Sequence, residues 1–184
     1  MNFRLTILLV AVLAIVGGSA AYYWANKPDK EHVEREWLYK ISDTDIIEIE
    51  VTYKENHVKF VKNNPPGSNS WIWLIDDDPP VQVYGPKWSG TPFLLGGPQI
   101  ERELLEAKEP LSSYGLDPPE SIVKVTEKGG HIFEFHLGDT TPDNNSQYVR
   151  LTTESSIFTV AEMWARVIND LAVNPPYTPA QQAD

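Results

Sequence analysis

The sequence contains no cysteine, which excludes disulfide frameworks, CxxC redox sites and metal sites with thiolate ligands. It also has few basic residues: 15 lysines and arginines stand against 26 aspartates and glutamates, and the formal net charge is −11. After residue 27 the chain has 13 basic and 26 acidic residues. A surface of this charge repels phosphate backbones. We therefore expect that the protein does not bind nucleic acid.

Motifs that carry catalysis or bind cofactors are also missing from the sequence. There is no GxSxG, P-loop or GxGxxG pattern. His131 and His136 are five residues apart on a predicted strand, so their side chains would point to opposite faces and could not share a metal ion. The loop Asp139–Asn145 lacks the ligand spacing and the distal glutamate of an EF-hand. The sequence predicts a protein that is not an enzyme and that holds no cofactor or metal.

The first 27 residues have the pattern of a membrane segment. Leu5–Trp24 contains no charged residue over roughly the 20 residues that a helix needs to span a bilayer. Tyr22, Tyr23 and Trp24 at its end are typical of the membrane interface. The apolar run and the small residues at 17–21 also fit a cleaved signal peptide. We favour a retained signal-anchor helix over residues 1–27.

A retained anchor predicts a single-pass protein of the cytoplasmic (inner) membrane. Lys27, Lys30 and Arg35 follow the span and only Arg4 precedes it, so a literal positive-inside count would keep the body in the cytoplasm. Acidic residues are interleaved with these three cations, however, and the overall layout is that of an export signal. We expect the soluble domain to lie on the extracytoplasmic side.

The rest of the chain has the pattern of an α+β domain. Residues 28–44 form a predicted stalk, 45–172 the predicted extracytoplasmic domain, and 173–184 an extended tail. Alternating apolar residues predict antiparallel hairpins in the domain, beginning with Ile47, Ile49 and Val51 on one face of the first strand. Helical spacing of apolar residues predicts short helices over Gln99–Lys108 and 161–172.

The order of predicted elements repeats along the domain. Strands in hairpins followed by a helix occur in residues 45–110 and again in residues 114–172. This repetition predicts two similar tandem α+β halves, although the residue identity between the halves is slight. The predicted fold is thus an N-terminal transmembrane helix followed by antiparallel hairpins with short helices.

An insertion at residues 76–98 interrupts the first half. It contains five prolines and four glycines, and long segments without regular structure inside a compact domain are often binding elements. Its aromatic residues Tyr84, Trp88 and Phe93 belong to the types that anchor protein interfaces. We predict them as partner-binding residues, with Trp88 as the main anchor. The alternative is that these aromatic side chains cover the core of the domain itself.

A stiff corner, YGLDPP, precedes the second half. Pro118 and Pro119 fix their own φ angles and favour extended or turn conformations before them. Gly115 can adopt a positive φ where the chain reverses. We expect Tyr114 to pack against the hairpin that follows.

Five segments resemble the bacterial "domain of unknown function 4340" family: LYKISDTDIIEIEV, WIWLI, YGLDPPESIVKV, FEFHLGDTT and QYVRLTTESSIFTV. The likeness covers most of residues 38–160, and residues 76–97 depart from the family pattern. The resemblance implies a membrane-anchored extracytoplasmic module, linked in some members to gliding-type ABC-transporter systems. It implies no catalytic residues.

The sequence therefore predicts a non-catalytic accessory or structural subunit of a larger membrane protein complex. Its expected partners are other membrane protein subunits, together with the lipid bilayer through residues 5–24. The alternative is a stand-alone extracytoplasmic domain that binds a ligand or senses the state of the envelope.

Overall fold

The computed structural model describes residues 3–25, 35–68, 70–104 and 109–181. The chain divides into two units, Met1–Glu34 and Arg35–Asp184. In the first unit, helix α1 runs over Phe3–Ala25. Among the described residues, no helix is both long enough and apolar enough to cross a membrane. Residues 28–34 of the predicted stalk lie outside the described residues.

The second unit is built on an antiparallel sheet with nine strands in the described part of the chain. The strands are β1 (Ile46–Tyr53), β2 (Asn56–Asn63), β3 (Ile72–Ile75), β4 (Val81–Gln82), β5 (Arg102–Leu104), β6 (Ser121–Glu127), β7 (Ile132–Thr140), β8 (Ser146–Leu151) and β9 (Ile157–Ala161). Their order across the sheet is β4-β3-β2-β1-β6-β7-β8-β9-β5. The helices are α2 (Gly85–Trp88), α3 (Thr91–Leu94) and α4 (Glu162–Val173), and a 3₁₀ turn covers Leu111–Tyr114. The predicted α+β class with antiparallel hairpins and short helices is confirmed.

Two four-stranded meanders, β1–β4 and β6–β9, meet at the centre of this sheet. Strands β1 and β6 pair antiparallel, with Val51 opposite Val123 and Ile49 opposite Val125. This pairing leaves neither central strand with an open edge, and open edges invite aggregation. The two predicted halves therefore share one sheet and one compact unit, rather than forming two bodies.

Among the described residues, helix α4 covers one face of the sheet. Helix α4 packs across β1, β2, β8 and β9 on that face, and alternate residues of the strands supply the core beneath it. On the other face, Lys59 Nζ lies 3.0 Å from Glu48 Oε2, and His57 Nε2 lies 3.0 Å from Glu50 Oε1. Polar pairs of this kind are typical of an antiparallel sheet with one face in water. The largest fully buried core side chains include Phe60, Phe135, Ile46, Ile49, Ile75, Leu95, Leu137, Ile157 and Ile168.

The insertion 76–98 is more regular than predicted, since it contains β4, α2 and α3. Trp88 is only 6% exposed, and its ring centroid lies 4.5 Å from that of Phe60 and 5.3 Å from that of Trp73. Trp88 is therefore a core residue and cannot act as the exposed docking anchor that we predicted. For this residue the alternative interpretation, an aromatic that covers the domain's own core, is the one that the structure shows.

The helix predicted over Gln99–Lys108 is wrong where the structure describes it. Arg102–Leu104 form strand β5, with Glu103 opposite Phe158 of β9. Just before β5, the N–H of Glu101 donates to the carbonyl of Thr159 at 2.8 Å. The edge strand β9 thus supplies hydrogen-bond partners for the backbone of this segment. This tertiary pairing overrides the helix that the spacing of its apolar residues favoured. Residues 105–108 lie outside the described residues.

The YGLDPP corner joins three of the segments that carry the family resemblance. Gly115 has a φ of 66°, as predicted, and a Cβ there would collide with Asp139, whose backbone N would lie 2.6 Å away. A Cβ at Gly138 would likewise collide with the carbonyl oxygen of Tyr114. The Tyr114 ring packs edge-on against Tyr148 of β8, with centroids 5.1 Å apart. This contact lies one strand beyond the hairpin that we predicted.

The start of the predicted tail packs against the insertion. The carbonyl of Pro176 accepts a hydrogen bond from the N–H of Tyr84 at 2.7 Å. The Tyr177 hydroxyl donates to Asp77 Oδ2 at 2.8 Å. Burial, and then the contact with Asp77, raises the pKa of Tyr177. Residues 182–184 lie outside the described residues.

Candidate functional site

A cleft of about 400 Å³ lies beside helix α4 in the second unit. Its walls come from three parts of the sequence that are far apart: the segment that opens the unit, the end of the insertion, and the start of α4. We call it the apolar cleft. The side chains that define it are Trp37, Ile41, Phe93, Leu94, Pro98 and Trp164.

One wall of the apolar cleft is a strap, residues 36–41, that lies along residues 96–100. The N–H of Leu38 donates to the carbonyl of Pro98 at 3.0 Å, and that of Ile41 to the carbonyl of Gly96 at 2.9 Å. Gly97 has a φ of 129°, and a Cβ there would collide with the Tyr39 carbonyl oxygen. Glycine at position 97 therefore allows the strap to approach closely.

Tyr39 fixes the strap to the core. Its ring centroid lies 5.0 Å from that of Phe133 and 5.6 Å from that of Phe135. Its hydroxyl donates to the carbonyl of Leu95 at 3.0 Å. Burial raises the pKa of Tyr39 well above its ordinary value, so the hydroxyl stays neutral. The wall of the cleft is thus held by a satisfied, uncharged polar group.

Trp164 joins α4 to the insertion. Its indole Nε1 donates to the carbonyl of Leu94 at 2.9 Å, and its ring centroid lies 5.7 Å from that of Phe135. The polar atom of the indole is used inside the protein, so the surface that the half-buried ring offers to the cleft is carbon.

Large apolar side chains are exposed around the apolar cleft. Phe93 is 75% exposed, Trp37 45% and Leu94 37%. Both basic residues beside them have neighbours within the unit: Arg35 Nη1 lies 3.4 Å from Glu101 Oε1, and Lys40 Nζ lies 5.5 Å from the Trp37 ring centroid. Exposed apolar patches of this kind mark interaction surfaces in soluble domains.

The structure separates the three residues that we predicted as partner-binding. Phe93 lines the apolar cleft, Trp88 lies in the core, and Tyr84 is half-buried at the start of α2. Two residues of the apolar cleft were not predicted as site residues. Trp37 lies in the predicted stalk, and Trp164 was predicted as a core position of the last helix. The predicted interface residues Tyr22, Tyr23 and Trp24 lie on α1, and each is exposed.

A second, smaller pocket of about 260 Å³ lies on the other side of α4. We call it the polar pocket. Its side chains include Tyr53, Glu120, Glu162, Arg166, Asn169 and Asp170.

The described residues contain no group of three histidine or acidic side chains placed to hold a metal ion. The Asp139–Asn145 loop instead closes on itself, because Asp143 Oδ1 accepts a hydrogen bond from Thr141 Oγ1 at 2.6 Å. That hydrogen bond, followed by those from Asn145, lowers the pKa of Asp143. The oxygen atoms of this loop therefore serve a local turn.

Residues 95–172 match the model of a family described as "Domain of unknown function (DUF4340)". The predicted resemblance is confirmed over this part of the chain, which holds the YGLDPP corner, strands β5–β9 and helix α4. The match begins at Leu95 and so includes the Gly96–Gly97 support of the strap and Trp164. No curated protein and no solved structure matches the chain significantly.

Proposed function

We propose that this protein is a non-catalytic, single-pass accessory or structural subunit of a larger membrane protein complex. It is held in the cytoplasmic (inner) membrane, with the Arg35–Asp184 unit on the extracytoplasmic side. The observation that carries the proposal is the apolar cleft, with Phe93 and Trp37 exposed at its rim. Other subunits of the same membrane are its partners, and nucleic acid is not one of them.

The membrane part of the proposal rests on the sequence. Leu5–Trp24 is free of charged residues over roughly the 20 residues that a bilayer requires. Tyr22, Tyr23 and Trp24 lie at the end of this stretch, the position where aromatic residues contact the headgroup region. A signal-anchor with these features keeps the protein in the membrane after export.

The docking part rests on the chemistry of the second unit. An exposed phenylalanine beside a tryptophan is the kind of surface on which a few aromatic contacts supply most of the binding free energy. Residues 35–184 hold 23 acidic and 12 basic residues. A surface with this charge attracts basic segments and speeds their association. The partner segment that fits is therefore one that places an apolar side chain in the cleft and carries basic residues beside it.

Copurification of the full-length protein in mild detergent tests this proposal. Phe93→Ser should reduce the recovery of the partner subunits at least about tenfold, the effect of losing roughly 1.4 kcal/mol of binding free energy at an interface. Ile132→Ser is the matched control, since Ile132 is 51% exposed on β7 and does not line the cleft. Equal recovery with both variants would show that the apolar cleft is not the docking surface.

A stand-alone ligand-binding or envelope-sensing domain is the second candidate function. It is favoured by the volume of the apolar cleft, about 400 Å³, because pockets for small molecules measure roughly 300–1,000 Å³. A monodisperse monomer that copurifies with an apolar small molecule, displaced by Phe93→Ser, would support this second function over the first.

A further inference from the structure

We propose that the partner segment of the apolar cleft binds in an extended conformation and adds to the strap as a further β-strand. The inference rests on the proposed docking function and specifies the chemistry of the partner: apolar side chains at alternate positions, with a basic residue among the others. It is carried by a free backbone edge of the strap, by the carbon surface beside that edge, and by the charges around it.

The strap extends the sheet beyond β5. The N–H of Ile100 donates to the carbonyl of Glu36 in the strap at 2.7 Å, and the N–H of Glu101 donates to the carbonyl of Thr159 in β9 at 2.8 Å. Consecutive residues of a strand direct their N–H groups to opposite sides. The segment that leads into β5 therefore has β9 on one side and the strap on the other. Within the described part of the chain, the strap is the outer edge of the sheet at this point.

The backbone of Trp37 faces away from the sheet. Trp37 lies opposite Gln99 in an antiparallel bridge. The N–H of Leu38 and the carbonyl of Glu36, on either side of Trp37, both bond to the segment 98–100. The N–H and C=O groups of Trp37 therefore point outward, and neither has a hydrogen-bond partner among the residues that the structure describes. Unpaired edge groups of this kind are the template on which extended peptides add to sheets.

An added strand would direct alternate side chains into the apolar cleft. Residues directly opposite each other in an antiparallel pair have side chains on the same face, with Cβ atoms roughly 4.5–5.5 Å apart. The Trp37 side chain lines the cleft, so a residue bound opposite Trp37 points its side chain to the cleft as well. Phe93 and Trp164 offer carbon to it there. The neighbouring residues of the partner point away from the cleft, and only every second position needs to be apolar.

The charges at the cleft favour a basic residue in the partner segment. Arg35 is paired with Glu101 at 3.4 Å, and Lys40 lies over the Trp37 ring. Asp43 also lines the cleft, is exposed, and forms no salt bridge with any residue that the structure describes. The whole unit holds 23 acidic and 12 basic residues. A lysine or arginine of the partner is therefore attracted to the unit and can pair with the Asp43 carboxylate.

Binding of a fluorescent peptide to the full-length protein in lipid nanodiscs, with empty nanodiscs as the blank, tests the inference. The probe is a short peptide of alternating leucine and lysine. A leucine opposite Trp37 donates its backbone N–H to the strap, whereas the N–H groups of the lysines point away. Methylation of the leucine backbone nitrogens should weaken binding at least about tenfold, because it removes a main-chain hydrogen bond and adds a clash. Methylation of the lysine backbone nitrogens keeps the same charge and should change the affinity much less.

Variants of the protein locate the peptide. Phe93→Ser should weaken its binding at least about tenfold, through the loss of an aromatic contact. Asp43→Asn should weaken it roughly two- to fivefold, the value of an exposed ion pair. Glu154→Gln is the matched control for charge, since Glu154 is exposed between β8 and β9 and does not line the cleft. It should leave the affinity unchanged.

Two results would overturn strand addition: no saturable binding of the unmethylated peptide, and equal weakening by methylation at the leucine and at the lysine nitrogens. Equal weakening by Asp43→Asn and Glu154→Gln would overturn the pairing with Asp43 and show attraction to the overall charge only. If either of the first two results occurs while Phe93→Ser still loses the partner subunits in copurification, the docking function stands and the extended conformation of the partner is wrong. Equal copurification of Phe93→Ser and its control would overturn the docking function itself.

Discussion

The two sides of helix α4 differ in how their polar atoms are used. On the side of the apolar cleft, the Trp164 indole donates to the Leu94 carbonyl at 2.9 Å, and exposed carbon remains. On the side of the polar pocket, three carboxylates line the pocket, and Asn169 Oδ1 is buried without a described donor. One helix thus separates an apolar surface from a pocket lined by charged and polar side chains.

The comparison shows why aromatic content alone did not identify the site. Phe93 and Trp88 lie five residues apart in the same insertion, yet one is 75% exposed and the other 6%. Interfaces and cores both use aromatic residues because both bury large apolar areas. Only the placement of the insertion against β2 and β3 separates the two roles.

The largest expected effect separates the core from the apolar cleft. Trp88→Ala should lower the free energy of unfolding by about 3–5 kcal/mol, since it leaves a cavity between Phe60 and Trp73. Phe93→Ala should change it by less than about 0.5 kcal/mol, because its side chain is exposed. Urea denaturation of the full-length protein measures both values. Similar losses in the two variants would place Phe93 in the core as well.

A smaller loss of stability is expected from a substitution in the YGLDPP corner, which lies beside the polar pocket. Gln147 lines that pocket and donates to the Gly138 carbonyl at 2.7 Å, next to Gly115. Gly115→Val should lower the free energy of unfolding by about 1–3 kcal/mol, because of its positive φ and the collision with Asp139.

Gly129→Val is the control for this corner. Gly129 also has a positive φ, but a Cβ there meets nothing within 4 Å. Its loss should be the smaller of the two, and thermal melting of both variants measures the difference. Equal losses of stability in the two variants would show that the close contact with Asp139 does not explain the cost of a side chain at Gly115.

The smallest effects should differ between the two sides of α4: a loss of stability on one side and no loss on the other. Trp164→Phe removes the donor to Leu94 and should lower the free energy of unfolding by about 1 kcal/mol. Asn169→Leu removes a buried acceptor without a described donor and should be neutral or raise it by up to about 1 kcal/mol. Chemical denaturation resolves differences of this size. A clear loss of stability in Asn169→Leu would mean that its amide is already satisfied.

The sequence predicted the strands well because a half-buried sheet imposes a period of two residues. The first strand shows the limit of that rule. Ile49 and Val51 are fully buried as predicted, but Ile46 takes the core position that we expected for Ile47. The pairing with β6 shifts between Ile46 and Glu48. A bulge of this kind changes the register and leaves no mark in the alternation of residues.

The remaining errors come from contacts between distant residues. Strand β5 exists because β9 offers an edge to Arg102–Leu104, and nothing local specifies that pairing. The apolar cleft forms because Trp37, Phe93 and Trp164 converge from separate segments. The pattern around Trp37 indicates a stalk, that around Phe93 a loop, and that around Trp164 a helix. None of these patterns indicates that the three residues meet in a cleft. Local periodicity therefore predicts the elements, and the site depends on tertiary contacts.

The measurement that tests the central claim most directly is photocrosslinking in native membranes. A photoreactive phenylalanine analogue at position 93 should form an adduct with one integral membrane protein, and Trp37→Ala should reduce that adduct. The same analogue at position 132, on an exposed residue outside the cleft, should not form it. Identical adducts from positions 93 and 132, or none from position 93, would contradict a docking role for the apolar cleft.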